Sequence, residues 1–234
     1  MSLKRASKST TWNIFLFFSF WLILVVECYA LYKREYALYT YSRIWIAPIL
    51  IARILTSEAR RVNLYVLFFY FSSLLADAFV LFGNYNIAYI GLSFFSISYL
   101  TMGCYFNQIN QNHHKSHIIM GVASALIITL NLLWIFAPEL RAKVFYIQSA
   151  AHSFIIIFVI YSLVNLGKRL RGQRVFKLLS IAVALIALTN IIYAVDVLYA
   201  KRAYPLIDAL VGFGNGAYLY VFTKGIFAHL KRVA

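Results

Sequence analysis

Long apolar runs, separated by short basic gaps, fill this chain from one end to the other. The first, "WNIFLFFSFWLILVV" (12–26), carries no charge over fifteen residues, and the pattern returns seven more times. A helix needs about 20 mostly apolar residues to cross a bilayer. Inside lipid only a helix or a closed barrel satisfies its own backbone polar groups. Runs of this length therefore predict an all-α integral membrane protein, an eight-transmembrane-helix bundle forming a single domain over residues 1–234. The expected spans are 12–32, 38–55, 62–82, 87–106, 118–137, 144–166, 178–199 and 205–229. Composition agrees: 63% of residues are hydrophobic and 12% charged, against about 45–50% and about 25% in soluble domains. "GNYN" at 83–86, Pro138, "GKRLRGQR" at 167–174 and Pro205 mark the breaks. The second span is the least regular, because it holds Arg43, Arg53 and Pro48.

A net charge of +15 raises the question of nucleic acid. The basic residues, however, sit almost entirely in the short gaps between spans, where they set topology and meet anionic headgroups. No nucleic-acid partner is expected. With eight spans, 15 basic residues fall on the side of the termini and 7 on the other. Positive charge stays cytoplasmic, so both termini are placed inside, and a bacterial inner membrane is the expected location. The basic start and the small residue Ala30 resemble a signal peptide, but the apolar run is long for one, and it is read as an uncleaved first helix. Cys28 and Cys104 have neither CxxC nor ligand spacing, and no metal or cofactor is expected. Lys224 is too near the cytoplasmic end of its span for a buried Schiff base.

Four acids lie within spans: Glu27, Asp77, Asp196 and Asp208. Traced through the topology, all four fall in the outer half of the membrane. Tyr70 and Ser73 share a helix face with Asp77, and Tyr193 flanks Asp196. Gln148 and His152 are i, i+4 neighbours, and Asp208, Gly212 and Asn215 form a polar, small stripe. "GFGNG" (212–216) follows no strand, so close helix packing accounts for it rather than a nucleotide. An offset of 119 residues maps Asp77 onto Asp196, Tyr99 onto Tyr218 and Leu100 onto Leu219. It suggests two parallel four-helix repeats, spans 1–4 and 5–8.

A carboxyl group removed from water favours its neutral form, and two close carboxyls titrate apart. Asp77 and Asp196 could thus supply a general acid and a general base without metal. They would equally serve a proton relay in a carrier. Asp208, Glu27 and His152 could each be structural, bonded across helices.

The same residues resemble the YhhN-like lysoplasmalogenases. "FSSLLADAFVLF" (71–82) is similar to the family's third-helix F-S-x-x-x-D-x-x-L pattern, with Asp77 at the acid. "YAVDVLYA" (193–200) is similar to its seventh-helix pattern, with Asp196 at the acid and Val195 in place of Ser. "SRIWIAPILI" and "YIGLSFFSISYL" resemble two further segments, without the usual Lys and His. The resemblance covers residues 40–225 and marks the chain as a divergent member. It implies an eight-helix ether-bond hydrolase of lipid metabolism that cleaves the vinyl-ether bond of a lysophospholipid without a cofactor. Asp77 and Asp196 would be catalytic. Tyr70, Ser73, His152, Gln148, Tyr193, Asp208, Asn215 and Glu27 would support or bind substrate. Arg43, Lys201 or Arg202 would meet the headgroup. A proton-coupled transporter and a non-catalytic protein on the same scaffold are the alternatives.

Overall fold

A computed structural model of the chain describes residues 3–56, 63–82, 85–110, 113–196 and 204–233. Among them the secondary structure is helical: α1 (Leu3–Lys33), α2 (Tyr36–Arg43), α3 (Ile46–Leu55), α4 (Leu64–Phe82), α5 (Tyr85–Ile109), α6 (His113–Phe136), α7 (Arg141–Leu170), α8 (Arg174–Val195) and α9 (Pro205–Val233), with a 3-10 turn at Pro138–Leu140. Eight segments are long and apolar enough to cross a membrane, α2 and α3 together making one of them. The protein is an all-α integral membrane protein of eight spans. Large apolar side chains point outward along these helices, among them Phe18, Leu22, Val122 and Phe154, each at least 65% exposed. Such surfaces suit lipid. The tail of the expected span 178–199, together with Val62, Glu58, Lys201 and Arg202, lies outside the described residues.

The second expected span is two helices rather than one. Pro48 has no N–H to give to the carbonyl of Ile44, and its ring crowds that turn. The chain therefore stops being regular at Ile44 and Trp45, and Pro48 takes the third position of α3, where an N–H needs no intrahelical partner. The Trp45 N–H donates to Ser42 O at 3.2 Å instead.

The helices form two compact units, Met1–Val62 with Gly172–Ala234, and Asn63–Arg171. In the second unit α5 packs on α4, α6 and α7, and α6 also packs on α7. In the first, α9 packs on α8, α1 and α3, and α1 also packs on α2 and α3. The two packing plans are the same when spans 3, 4, 5 and 6 are matched to spans 7, 8, 1 and 2. The central helices α5 and α9 have the most buried apolar windows, 72% and 50%. The units thus do not coincide with the sequence halves 1–4 and 5–8. Each joins the third and fourth spans of one half to the first and second spans of the other.

Glycines set the closest helix approaches. A Cβ built on Gly91 of α5 would lie 2.9 Å from Ala76 O and 3.0 Å from Val80 N of α4. Backbone atoms cannot step aside as a flexible side chain can. Gly91→Ala is expected to lower unfolding stability by about 1–3 kcal/mol, the usual range for overpacking, as read by unfolding in mixed micelles. Gly212 and Gly216 face Leu31 and Leu24 of α1, whereas Gly214 faces Thr189 of α8. The "GFGNG" run therefore lets α9 lie close between two helices, as its small residues suggest.

Candidate functional site: buried carboxylates in two matching units

In the second unit, α4 opens on Asn63, whose Oδ1 accepts the Tyr65 N–H at 2.9 Å and so caps the helix. The Asn63 amide also donates to Gln108 Oε1 of α5 at 2.6 Å, fixing the register of the antiparallel pair. Further along, Gly91 sits against Ala76 and Val80, and Phe79 stacks on Phe94 with ring centroids 5.3 Å apart. Asp77 lies among these contacts, 4% exposed and level with residues 91–94 of α5. Tyr70 is fully buried and Ser73 is 1% exposed. The Ser73 hydroxyl donates to Phe69 O at 2.9 Å, so its proton is used within its own helix.

Two polar cross-links tie α5 to its other neighbours at this level. Ser93 Oγ donates to Asn131 Oδ1 of α6 at 2.8 Å. Ser96 Oγ lies 2.8 Å from His152 Nδ1 of α7 and 3.1 Å from Leu92 O. A hydroxyl has one proton. If it goes to Leu92 O, the imidazole carries its proton on Nδ1 and keeps a lone pair on Nε2. One turn before His152, Gln148 is 4% exposed, and its amide oxygen and nitrogen are both buried without a hydrogen-bond partner among the described residues. A buried amide with its whole capacity unused asks for a ligand or a water. Asp77, Ser93, Asn131, Ser96, His152 and Gln148 therefore make one polar layer inside the second unit. Ser93 and Ser96 were not singled out from sequence, because serine is common in membrane helices and its partners are 38 and 56 residues away.

In the first unit, Asp196 ends α8, 1% exposed, and its Oδ1 accepts no hydrogen bond among the described residues. Thr189 faces Gly214, and Leu178 and Leu179 face Gly225. This antiparallel register puts Asp196 level with the first turn of α9, which carries Asp208. Glu27 stands deeper along α9, next to Gly212. It is wholly buried and bonded to Arg43 NH1 at 3.2 Å. One expectation is corrected here. Arg43, 3% exposed, is a buried counter-ion to Glu27 rather than a headgroup contact. The physical reason is the break before Pro48, which ends α2 at Arg43 and turns it against α1. Asn215 is half-buried on α9, and Tyr193 faces outward at 44% exposure.

A groove of about 630 Å³ opens between the end of α1 and the start of α9, lined by Tyr32, Lys33, Arg34, Tyr204, Pro205 and Leu206. Arg34 has φ 59°, the one positive value outside glycine among the described residues. The Glu35 N–H reaches Ala30 O at 2.8 Å and the Arg34 N–H reaches Leu31 O at 3.1 Å. This is a helix stop in which glycine usually takes the left-handed place. Arg34→Gly is expected to leave stability unchanged or raise it by up to about 1 kcal/mol, since relief of the left-handed strain exceeds the added chain entropy. A thermal melt measures it.

Compared with protein-family models, curated proteins and solved structures, the chain matches none.

Proposed function

We propose that this protein is a membrane-embedded hydrolase that cleaves the vinyl-ether bond of a lysophospholipid. The observation that carries the reading is the burial of Asp77 and Asp196, one in each of two units that share a packing plan. A carboxylate in an apolar span is costly to keep and marks a functional position. Both acids also stand where the sequence resembles the YhhN-like lysoplasmalogenases.

The chemistry needs few groups. An acid gives its proton to the β-carbon of the vinyl ether, and the ether oxygen shares the resulting positive charge. A nearby anion stabilises that oxocarbenium ion, as in glycoside hydrolysis. Water adds to the cationic carbon and loses a proton, and the hemiacetal collapses to a fatty aldehyde and the glycerol hydroxyl. The resemblance assigns the acid and anion roles to Asp77 and Asp196 between them. The unused amide of Gln148 and the His152 imidazole are suited to hold water. Lys33 and Arg34 in the groove suit the substrate phosphate, in place of the buried Arg43. The excess of basic residues beside the termini supports both termini being cytoplasmic, and a bacterial inner membrane is the location proposed with it.

The test is incubation of the purified protein with choline and ethanolamine lysoplasmalogens and detection of free aldehyde. Turnover that survives intact in both Asp77→Asn and Asp196→Asn removes the site. No turnover, together with coupled proton flux in liposomes, replaces the hydrolase by a carrier.

A further inference from the structure

At the far end of the first unit from Asp196, Arg53 closes α3. Its guanidinium carbon lies 5.6 Å from the Phe17 ring centroid, 5.4 Å from Tyr220 and 5.8 Å from Phe227. Nε and one terminal nitrogen, Nη1, are buried and donate to nothing among the described residues. Lys224, one turn after Tyr220, holds its ammonium 5.0 Å from the same Tyr220 centroid. Two cations thus border one ring. Among the described residues neither has a carboxylate partner, because the buried ion pair of this unit joins Glu27 to Arg43.

Aromatic faces attract a guanidinium. They offset only part of the cost of taking its charge and its N–H donors out of water. An anion from outside the chain would satisfy both groups at once. Tyr220 is itself clamped, stacked on Phe20 at 5.2 Å and edge-on to Trp21 at 5.1 Å, so the ring between the two cations is fixed. The setting favours lipid over solute. Arg53 and Lys224 lie near the ends of apolar spans, where headgroup phosphates reside, and guanidinium and ammonium groups are the usual phosphate donors.

We propose that Arg53 and Lys224, arranged around Tyr220, bind the phosphate of an anionic membrane lipid. The site is independent of the hydrolase reading, since it lies at the opposite end of the unit and its measurement does not involve turnover.

The experiment is native mass spectrometry of the detergent-purified full chain titrated with dioleoylphosphatidylglycerol. Parallel titrations use dioleoylphosphatidylcholine, glycerol 1-phosphate and inorganic phosphate. One phosphatidylglycerol is expected to bind saturably and ahead of phosphatidylcholine. Lys224→Gln should weaken it about fivefold, and Arg53→Gln about tenfold or more. Arg53→Lys keeps the charge and serves if Arg53→Gln does not fold; it should weaken binding less than Lys224→Gln. Unchanged affinity in Lys224→Gln and Arg53→Lys together, or equal binding of phosphatidylcholine, overturns the site. Displacement of the lipid by inorganic phosphate or glycerol 1-phosphate at matched concentration assigns it to a solute instead. Glu58 lies outside the described residues. If Glu58→Gln is required before lipid binds, Glu58 is the counter-ion and the proposal fails.

Discussion

Asp77→Asn and Asp196→Asn are each expected to lower aldehyde release from a lysoplasmalogen by about 10²–10⁴-fold, the range that a positioned acid or base contributes. Asparagine keeps the shape of the side chain and removes its ability to gain or lose a proton. Residues that act in one step are not additive. The double variant should therefore be about as slow as the slower single one, not slower by the product of the two losses. Additive losses would mean that the two carboxyls serve separate events, as successive stations of a proton path do. The folded state must be checked alongside, because both side chains are buried. A melt within a few degrees of the parent protein, with turnover lost, assigns the effect to chemistry. A melt that falls with the turnover would make the carboxylates structural.

His152 and Gln148 provide a graded comparison. Neither transfers the proton in this scheme, so His152→Ala and Gln148→Leu should slow turnover less than either aspartate variant. Gln148→Leu should also be stable, because it removes a buried amide that has no partner among the described residues. A loss as large as that of Asp77→Asn would move His152 or Gln148 into the reacting set.

The spans were legible because hydrophobic length is a local property, readable one window at a time. The break in the second span was half legible. Pro48 announces a disturbance, but the ring acts on the preceding turn, so the irregular residues are Ile44 and Trp45. Asp77 and Asp196 stood out because one charge in an apolar run has few explanations. Their partners did not, since the Ser96–His152 contact joins residues 56 positions apart and depends on helix rotation. Arg43 misled for a related reason. A basic residue beside a loop is ordinarily interfacial, and only the turn between α2 and α3 shows that it points at Glu27. The 119-residue offset relates Asp77 to Asp196, and the helix packing of the two units is matched in the same sense. The offset could not reveal that each compact unit mixes spans from both halves, because contact between α1 and α9 joins the two ends of the chain.

The largest stability effect should come from Arg43. Its guanidinium and the Glu27 carboxylate are 3.2 Å apart, at 4% and 1% side-chain exposure. Taking two ions out of water costs several kcal/mol each, and their attraction returns most of it only while both are present. Arg43→Ala leaves an uncompensated carboxylate and is expected to cost about 3–5 kcal/mol. Glu27→Ala leaves the guanidinium and should cost a comparable amount. Glu27→Leu combined with Arg43→Met removes both charges at similar volume, and should come within about 1–2 kcal/mol of the parent protein or exceed it. Unfolding in mixed micelles, read as a double-mutant cycle, measures the coupling, and single variants that each cost under about 1 kcal/mol would show that the pair is solvated. The same double variant separates structure from function at Glu27. If the pair only holds α1 against α2, the stable apolar replacement keeps full aldehyde release. If Glu27 also acts on substrate beside Gly212 and Asp208, turnover falls in a protein that remains folded, and the ion pair belongs to the working site.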